Sequence, residues 1–147
     1  MRFPCLNGFF LDLKQREWRV GAGLLVLAAL AAALPVQALT AADQLAVYAA
    51  QSGQIPKAAP GQAFFTAKHG NEWTCASCHT AKPTVDGKHA STGKAIRPMA
   101  PAANPERFTD AVKTEKWFRR NCNDVLGREC TPAEKADVLA WLLTLKP

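Results

Sequence analysis

Cys75-Ala76-Ser77-Cys78-His79 sets two thiols three residues apart and an imidazole directly after the second. Thiols are soft nucleophiles and imidazole is a ready metal ligand. Cys-x-x-Cys-His is the pattern at which a c-type haem is attached, the thiols adding to its vinyl groups and the imidazole taking the iron as proximal axial ligand. Two plainer chemistries share part of the pattern. A thioredoxin-like dithiol, which Trp73 faintly echoes, needs a βαβ setting that the chain does not offer, and a zinc site needs further Cys or His ligands at short spacing. The sequence therefore predicts one covalent haem c on Cys75, Cys78 and His79.

The side of the iron opposite His79 decides between electron carriage and small-molecule binding, because a strong permanent ligand blocks exogenous molecules. Four side chains compete for it. Met99, in Arg97-Pro98-Met99-Ala100-Pro101, lies in a Pro-rich stretch downstream, as the thioether ligand does in ordinary mono-haem cytochromes c. Packing of a flexible thioether in a loop would explain it equally. His69 and His89 are the other histidines, each suited to an exposed position or to a haem propionate. Asn121 offers a neutral amide oxygen, a weak ligand for iron.

The elements that must position these residues read as helices joined by Pro/Gly-rich connectors, with no alternating run long enough for a sheet. An all-α fold is expected. Thr40 and Asp43 form a capping box for a helix through about Ser52, ended by Gly53, with Leu45, Tyr48 and Ala49 on one face. Residues 61–68, with Phe64 and Phe65, form a short helix leading to the haem motif. Residues 82–105 hold four prolines and two glycines, an irregular loop suited to covering a haem face. The third helix spans residues 107–120, and Ala111, Thr114, Trp117 or Phe118, and Asn121 recur on its inward stripe. Lys113, Lys116 and Arg120 share another face and, with Arg119 and Arg128, make a basic patch. That patch is either a solvated surface or a dock for an acidic redox partner. Thr131, Pro132 and Glu134 open the last helix, whose Val138, Trp141, Leu142 and Leu145 are core.

The ends of the chain bound the compartment. Lys14, Arg16 and Arg19 precede an apolar run from Val20 to Leu34, and Val36-Gln37-Ala38 supplies small residues for a signal peptidase. Fifteen residues fall short of the roughly 20 that span a bilayer. Residues 1–38 are read as a cleaved secretory signal and residues 39–147 as one mono-haem domain in the periplasm, with no stable membrane insertion. The full chain carries +6; removing the leader's four basic and two acidic residues leaves +4, too little for a nucleic-acid footprint. An oxidising compartment allows Cys122 and Cys130, eight apart, to pair, for roughly 2–3 kcal/mol; the alternative is two free buried thiols.

The segment from Cys75 to Pro147 resembles a small family of atypical class I cytochromes, that of the sphaeroides haem protein and cytochrome c double-prime. The likeness runs through Cys75-Ala76-Ser77-Cys78-His79-Thr80, Gly93-Lys94, Pro98-Met99-Ala100-Pro101 and Arg107-Phe108-Thr109-Asp110. It continues through Asn121-Cys122-Asn123-Asp124-Val125-Leu126-Gly127 and Cys130-Thr131-Pro132-Ala133-Glu134-Lys135-Ala136. The resemblance implies a class I cytochrome c-like domain, four to five short helices around the haem. In that family the residue before the first cysteine of a C-x7-C pair is the distal ligand, and the two cysteines form a disulfide. Carried over, Asn121 is the distal ligand, Cys122–Cys130 the bridge, and Met99 a neighbour of the haem. Cytochrome c double-prime has histidine at this position, so the chain is similar to the asparagine branch.

An amide oxygen is a hard donor that favours ferric over ferrous iron. The resemblance implies its release on reduction, with oxygen or nitric oxide able to take the vacated ferrous position. It also implies a cytochrome electron donor, a dihaem cytochrome c or a membrane cytochrome b. Two rival readings stand beside this one: a simple electron carrier with Met99 or a histidine permanently on the iron, and reductive turnover of small oxygen or nitrogen species.

Overall fold

A computed structural model describes residues 39–147, and the leader expected at residues 1–38 lies outside them. Five helices carry the described chain: α1 (Ala41–Ser52), α2 (Ala58–Thr66), α3 (Ala76–His79), α4 (Ala111–Leu126) and α5 (Pro132–Thr144). Between α3 and α4, β1 (Gly87–Lys88) and β2 (Ala95–Ile96) pair antiparallel, Gly87 opposite Ile96. This hairpin is the one departure from the all-α expectation. It is too short to pattern a sequence, so alternation could not reveal it.

Local chemistry fixes the helix ends. The Thr40 hydroxyl accepts from the Asp43 N–H while the Asp43 carboxylate accepts from the Thr40 N–H, and Gly53 closes α1 in the left-handed region at φ 63°. Thr131 and Glu134 make the same reciprocal pair at α5, with Pro132 at the first position, where no N–H is needed. Helix α2 begins three residues earlier than expected and ends at Thr66. Its Pro60 falls within the first turn, whose N–H groups have no intrahelical partner.

The core lies where α5 packs on α1 and α2. Tyr48, Phe65, Leu139 and Leu142 are completely buried, and the Trp141 and Phe65 rings lie 4.9 Å apart. Burial of such side chains contributes about 1.5–3 kcal/mol each. Helices α2 and α5 cross so closely that a Cβ on Gly61 would fall 1.9 Å from the Asp137 carbonyl oxygen; only glycine fits. Beside this crossing the Lys57 N–H donates to the Asp137 carboxylate at 2.6 Å.

Helix α4 differs from its expected span of 107–120. Phe108 stands at φ 63°, which no helix accommodates, so the helix starts after Asp110, whose side chain accepts from the Lys113 N–H at 2.9 Å. It then runs on to Leu126 and ends at left-handed Gly127. Its buried stripe is Thr114, Phe118 and Cys122; Trp117 is 43% exposed and Asn121 sits half-buried on the flank. Phe118 meets Tyr48 edge-on at 5.7 Å, joining α4 to the core.

Candidate functional site

The attachment motif occupies one helical turn. The Thr74 hydroxyl accepts from the Ser77 N–H at 2.8 Å, and the Ser77 hydroxyl accepts from the Thr74 N–H at 3.1 Å. The Cys75 carbonyl accepts from the N–H groups of Cys78 and His79. Three- and four-residue spacing on that turn directs Cys75, Cys78 and His79 to one side. Thr80 ends it at φ 64° and ψ 158°, a strained geometry for a β-branched residue. Behind the turn, a Cβ on Gly87 would lie 2.0 Å from the Cys78 carbonyl oxygen, so the hairpin rests directly on the motif backbone.

Burial sets the protonation of these groups. It pushes the Cys75 thiol up to about 11, and it lowers His79, with help from the Arg107 charge, to about 4. His79 therefore presents neutral imidazole, the form that ligates metal. Neither motif cysteine is taken up in a disulfide.

The motif opens on a cavity of about 500 Å³, within the size range of cofactor sites. Cys75, Cys78 and His79 form one wall, and α4 contributes Thr114, Phe118, Asn121 and Val125. The loop between the strands and α4 supplies Met99, Asn104, Arg107 and Phe108, and His89 reaches the rim. Six of the residues singled out by sequence thus surround one space: Cys75, Cys78, His79, His89, Met99 and Asn121. His69 stands apart, its Nε2 2.8 Å from the Phe64 carbonyl oxygen. The lining suits a haem. Two thiols and an imidazole face one side, the rings of Phe64, Phe65, Phe108 and Phe118 offer apolar contact for a macrocycle, and Arg97 and Arg107 offer charge to carboxylates.

Helix α4 is braced where Asn121 stands. Cys122 and Cys130 form a disulfide, with 5.6 Å between their Cα atoms, that ties the last turns of α4 to the start of α5. The Asn71 side-chain amide donates to the Asp124 carbonyl at 3.0 Å and its N–H to the Val125 carbonyl at 3.3 Å. Those carbonyls end a helix and lack intrahelical donors. Asn71 thereby joins the chain entering the attachment motif to the helix that carries Asn121.

Sequence reasoning misses Arg107 and Asn104 as site residues. Arg107 donates from Nε to the Pro98 carbonyl at 2.9 Å and from Nη2 to that of Arg97 at 2.6 Å; Asn104 donates to the Pro98 carbonyl at 3.2 Å. The Met99 and Ala100 N–H groups both donate to the Pro83 carbonyl at 2.9 Å. Together these bonds shape the loop wall around Met99. The available signal was an arginine and an asparagine within a Pro-rich stretch, whose backbone acceptors need donors from side chains.

Comparison with known proteins agrees with this geometry. Residues 51–142 match the family model described as a domain of unknown function, DUF1924. The chain is 48% identical over 105 residues to the cytochrome c-type protein SHP of Cereibacter sphaeroides, covering 69% of this chain and 81% of that one. The solved structure of oxidized SHP, an oxygen-binding cytochrome c, superposes with a TM-score of 0.68 at 43% identity, covering 74% of this chain and all of that one. The solution structure of Methylophilus methylotrophus cytochrome c'', which concerns haem-ligand detachment, gives a TM-score of 0.63 at 42% identity, covering 73% of this chain and 94% of that one. A chain with this motif, this cavity and these relatives belongs to the SHP and cytochrome c'' family of mono-haem c-type cytochromes.

Proposed function

We propose that the protein is an exported cytochrome that accepts one electron from a partner cytochrome and then admits a small diatomic ligand, oxygen or nitric oxide, beside Asn121. When bound, the haem would supply a one-electron couple and an iron able to take ligands. Cys75 and Cys78 would hold it as thioethers, and His79 would be a protein ligand to its iron. Asn121 would be the second protein donor to the iron through its amide oxygen, a hard donor that would favour ferric over ferrous iron. The disulfide at Cys122 limits how far Asn121 retreats and so keeps its return fast. Phe118 and Val125 line the cavity one turn to either side of Asn121 and would crowd a ligand bound beside it.

The observation that carries this reading is that His79 and Asn121, brought by separate helices, line one cavity with the bridge directly after Asn121. The oxygen binding of SHP and the haem-ligand detachment of cytochrome c'' support it by kinship. A dihaem cytochrome c or a membrane cytochrome b is the class of donor proposed, and the leader read at residues 1–38 supports a periplasmic location.

Met99 lines the same cavity and favours a second reading, a plain carrier with a permanent thioether ligand. Optical spectra of the ferric and ferrous holoprotein separate the two. Binding of carbon monoxide and nitric oxide to the ferrous protein alone is expected; low-spin iron in both states, indifferent to either gas, supports the carrier. Asn121→His is expected to give low-spin ferric iron, and Asn121→Ala to open the ferric site to small ligands. Unchanged ferric spectra in both variants would remove Asn121 from the iron. Steady consumption of oxygen or nitric oxide with a reducing donor would turn binding into catalysis.

A further inference from the structure

One side of α4 is unusual for a helix in so small a domain. Lys113, Lys116, Arg119 and Arg120 all stand exposed on it, at spacings of three and four residues that bring like charges together. Their acidic neighbours do little to offset them. Asp124 reaches Arg120 only at 4.0 Å, with both side chains largely exposed, and Glu115 turns to Lys135 at 2.7 Å. Among these cations lies Trp117, 43% exposed, with the Arg120 guanidinium 5.8 Å above its ring. Lys113, Trp117 and Arg120 also line the cavity, so the cationic side is continuous with its mouth.

We propose that this side of α4 is the docking surface for an acidic one-electron donor protein, Trp117 filling the centre of the contact and the four cations steering approach. The assignment rests on the haem reading above. Charge complementarity selects the partner: a cluster of cations only weakly offset by Asp124 accelerates encounter with an anionic surface, and the effect is screened by salt. Trp and Arg are also the residue types that dominate contact energy at interfaces. Docking here brings the donor to the mouth of the haem cavity, on the Asn121 side.

The test follows the reduction of ferric holoprotein by a reduced plant-type ferredoxin, an acidic one-electron donor, in stopped flow at several ionic strengths. The second-order rate constant is expected to fall as salt rises. It is also expected to fall about tenfold at low salt in Lys116→Glu/Arg119→Glu, within the range of steering effects. Neither residue lines the cavity, so reduction of that variant by dithionite should match the parent. Lys57→Glu/Lys146→Glu, with the same change in net charge on other elements, should stay within about twofold of the parent. Trp117→Ala should slow ferredoxin at high salt, where steering is screened.

A salt-independent rate, or equal losses in the two double variants, overturns the docking surface. Sedimentation with phosphatidylglycerol vesicles, or a dimer in solution, that disappears in Lys116→Glu/Arg119→Glu assigns the face to a membrane or a second copy and overturns it too. Parent protein without a thioether-haem spectrum fails the haem reading first; a normal spectrum with flat salt dependence fails the docking surface alone.

Discussion

Helix α5 buries six of its thirteen residues, whereas α4, longer at sixteen, buries three. The first fills a core with Phe65 and Tyr48 from α2 and α1; the second gives one flank to the cavity and another to solvent. Residues such as Trp141 and Leu142 are held by area removed from water, a force without direction. Those of α4 are held by particular bonds: the Asp110 cap, the Asn71 brace, the Cys122–Cys130 bridge and the Lys135–Glu115 pair. One helix secures the fold, and the other, which carries Asn121 to the cavity, is fixed point by point.

The largest way to strain that division is Trp141→Ala. Loss of a buried ring against Phe65 should cost about 3–5 kcal/mol in chemical denaturation, yet leave the ferric spectrum of the folded fraction unchanged. A shifted spectrum would mean that core and site are not separable. Cys122→Ser/Cys130→Ser should cost less, about 2–3 kcal/mol, but should alter the ferric spectrum and slow return of the distal ligand after reoxidation. An unaltered spectrum would show that the bridge serves stability alone.

A smaller effect sharpens the electrostatic half. Lys135 is almost buried, 2.7 Å from Glu115 and over the rings of Tyr48 and Phe118. Burial would raise Glu115, but the Lys135 hydrogen bond and nearby positive charge outweigh it and hold the carboxyl below its ordinary value of 4.5. The Arg128 hydrogen bond, against partial burial, does the same for Glu134. A carboxylate lowered on folding stabilises above its unfolded pKa and loses that contribution as pH falls through the folded value. The urea midpoint should therefore decline as pH drops below about 4.5. Glu115→Gln should cost about 1 kcal/mol at neutral pH, because the glutamate side chain is 47% exposed, and should flatten part of the acid decline. An unchanged acid limb would leave it to Glu134 and to Asp43, which its hydrogen bonds to Thr40 also hold below the ordinary carboxylate value.

Much of this was legible because it is local. The caps at Thr40 and Thr131 act across three residues, and the haem motif within five, so types and spacing suffice to find them. The burial of Trp141 also followed from periodicity, though its partner Phe65 did not. The start of α4 did not, since the left-handed Phe108 depends on a loop anchored by the Arg107 bonds to Arg97 and Pro98. Lys135 reads as a surface cation in any sequence, and its burial follows only from where Glu115 and Tyr48 come together. The loop over the cavity and Met99 within it were expected from the Pro-rich composition, but the Arg107 and Asn104 bonds that shape this wall were not, because they join side chains to backbone acceptors several residues away. The disulfide was suggested by two cysteines left over in an oxidising compartment and specified by resemblance, because a spacing of eight permits a bridge without demanding one.

Asn71 has the last bearing on how the site can move. With its amide clasping the Asp124 and Val125 carbonyls, and a covalent bond gripping the neighbouring turn, the end of α4 has no cheap way to slide or unwind. The Asn121 side chain is left with rotation about its own two torsions. On the proposed reading, opening and closing would then be a single rotamer hop of Asn121, short in range, on a helix that stays still.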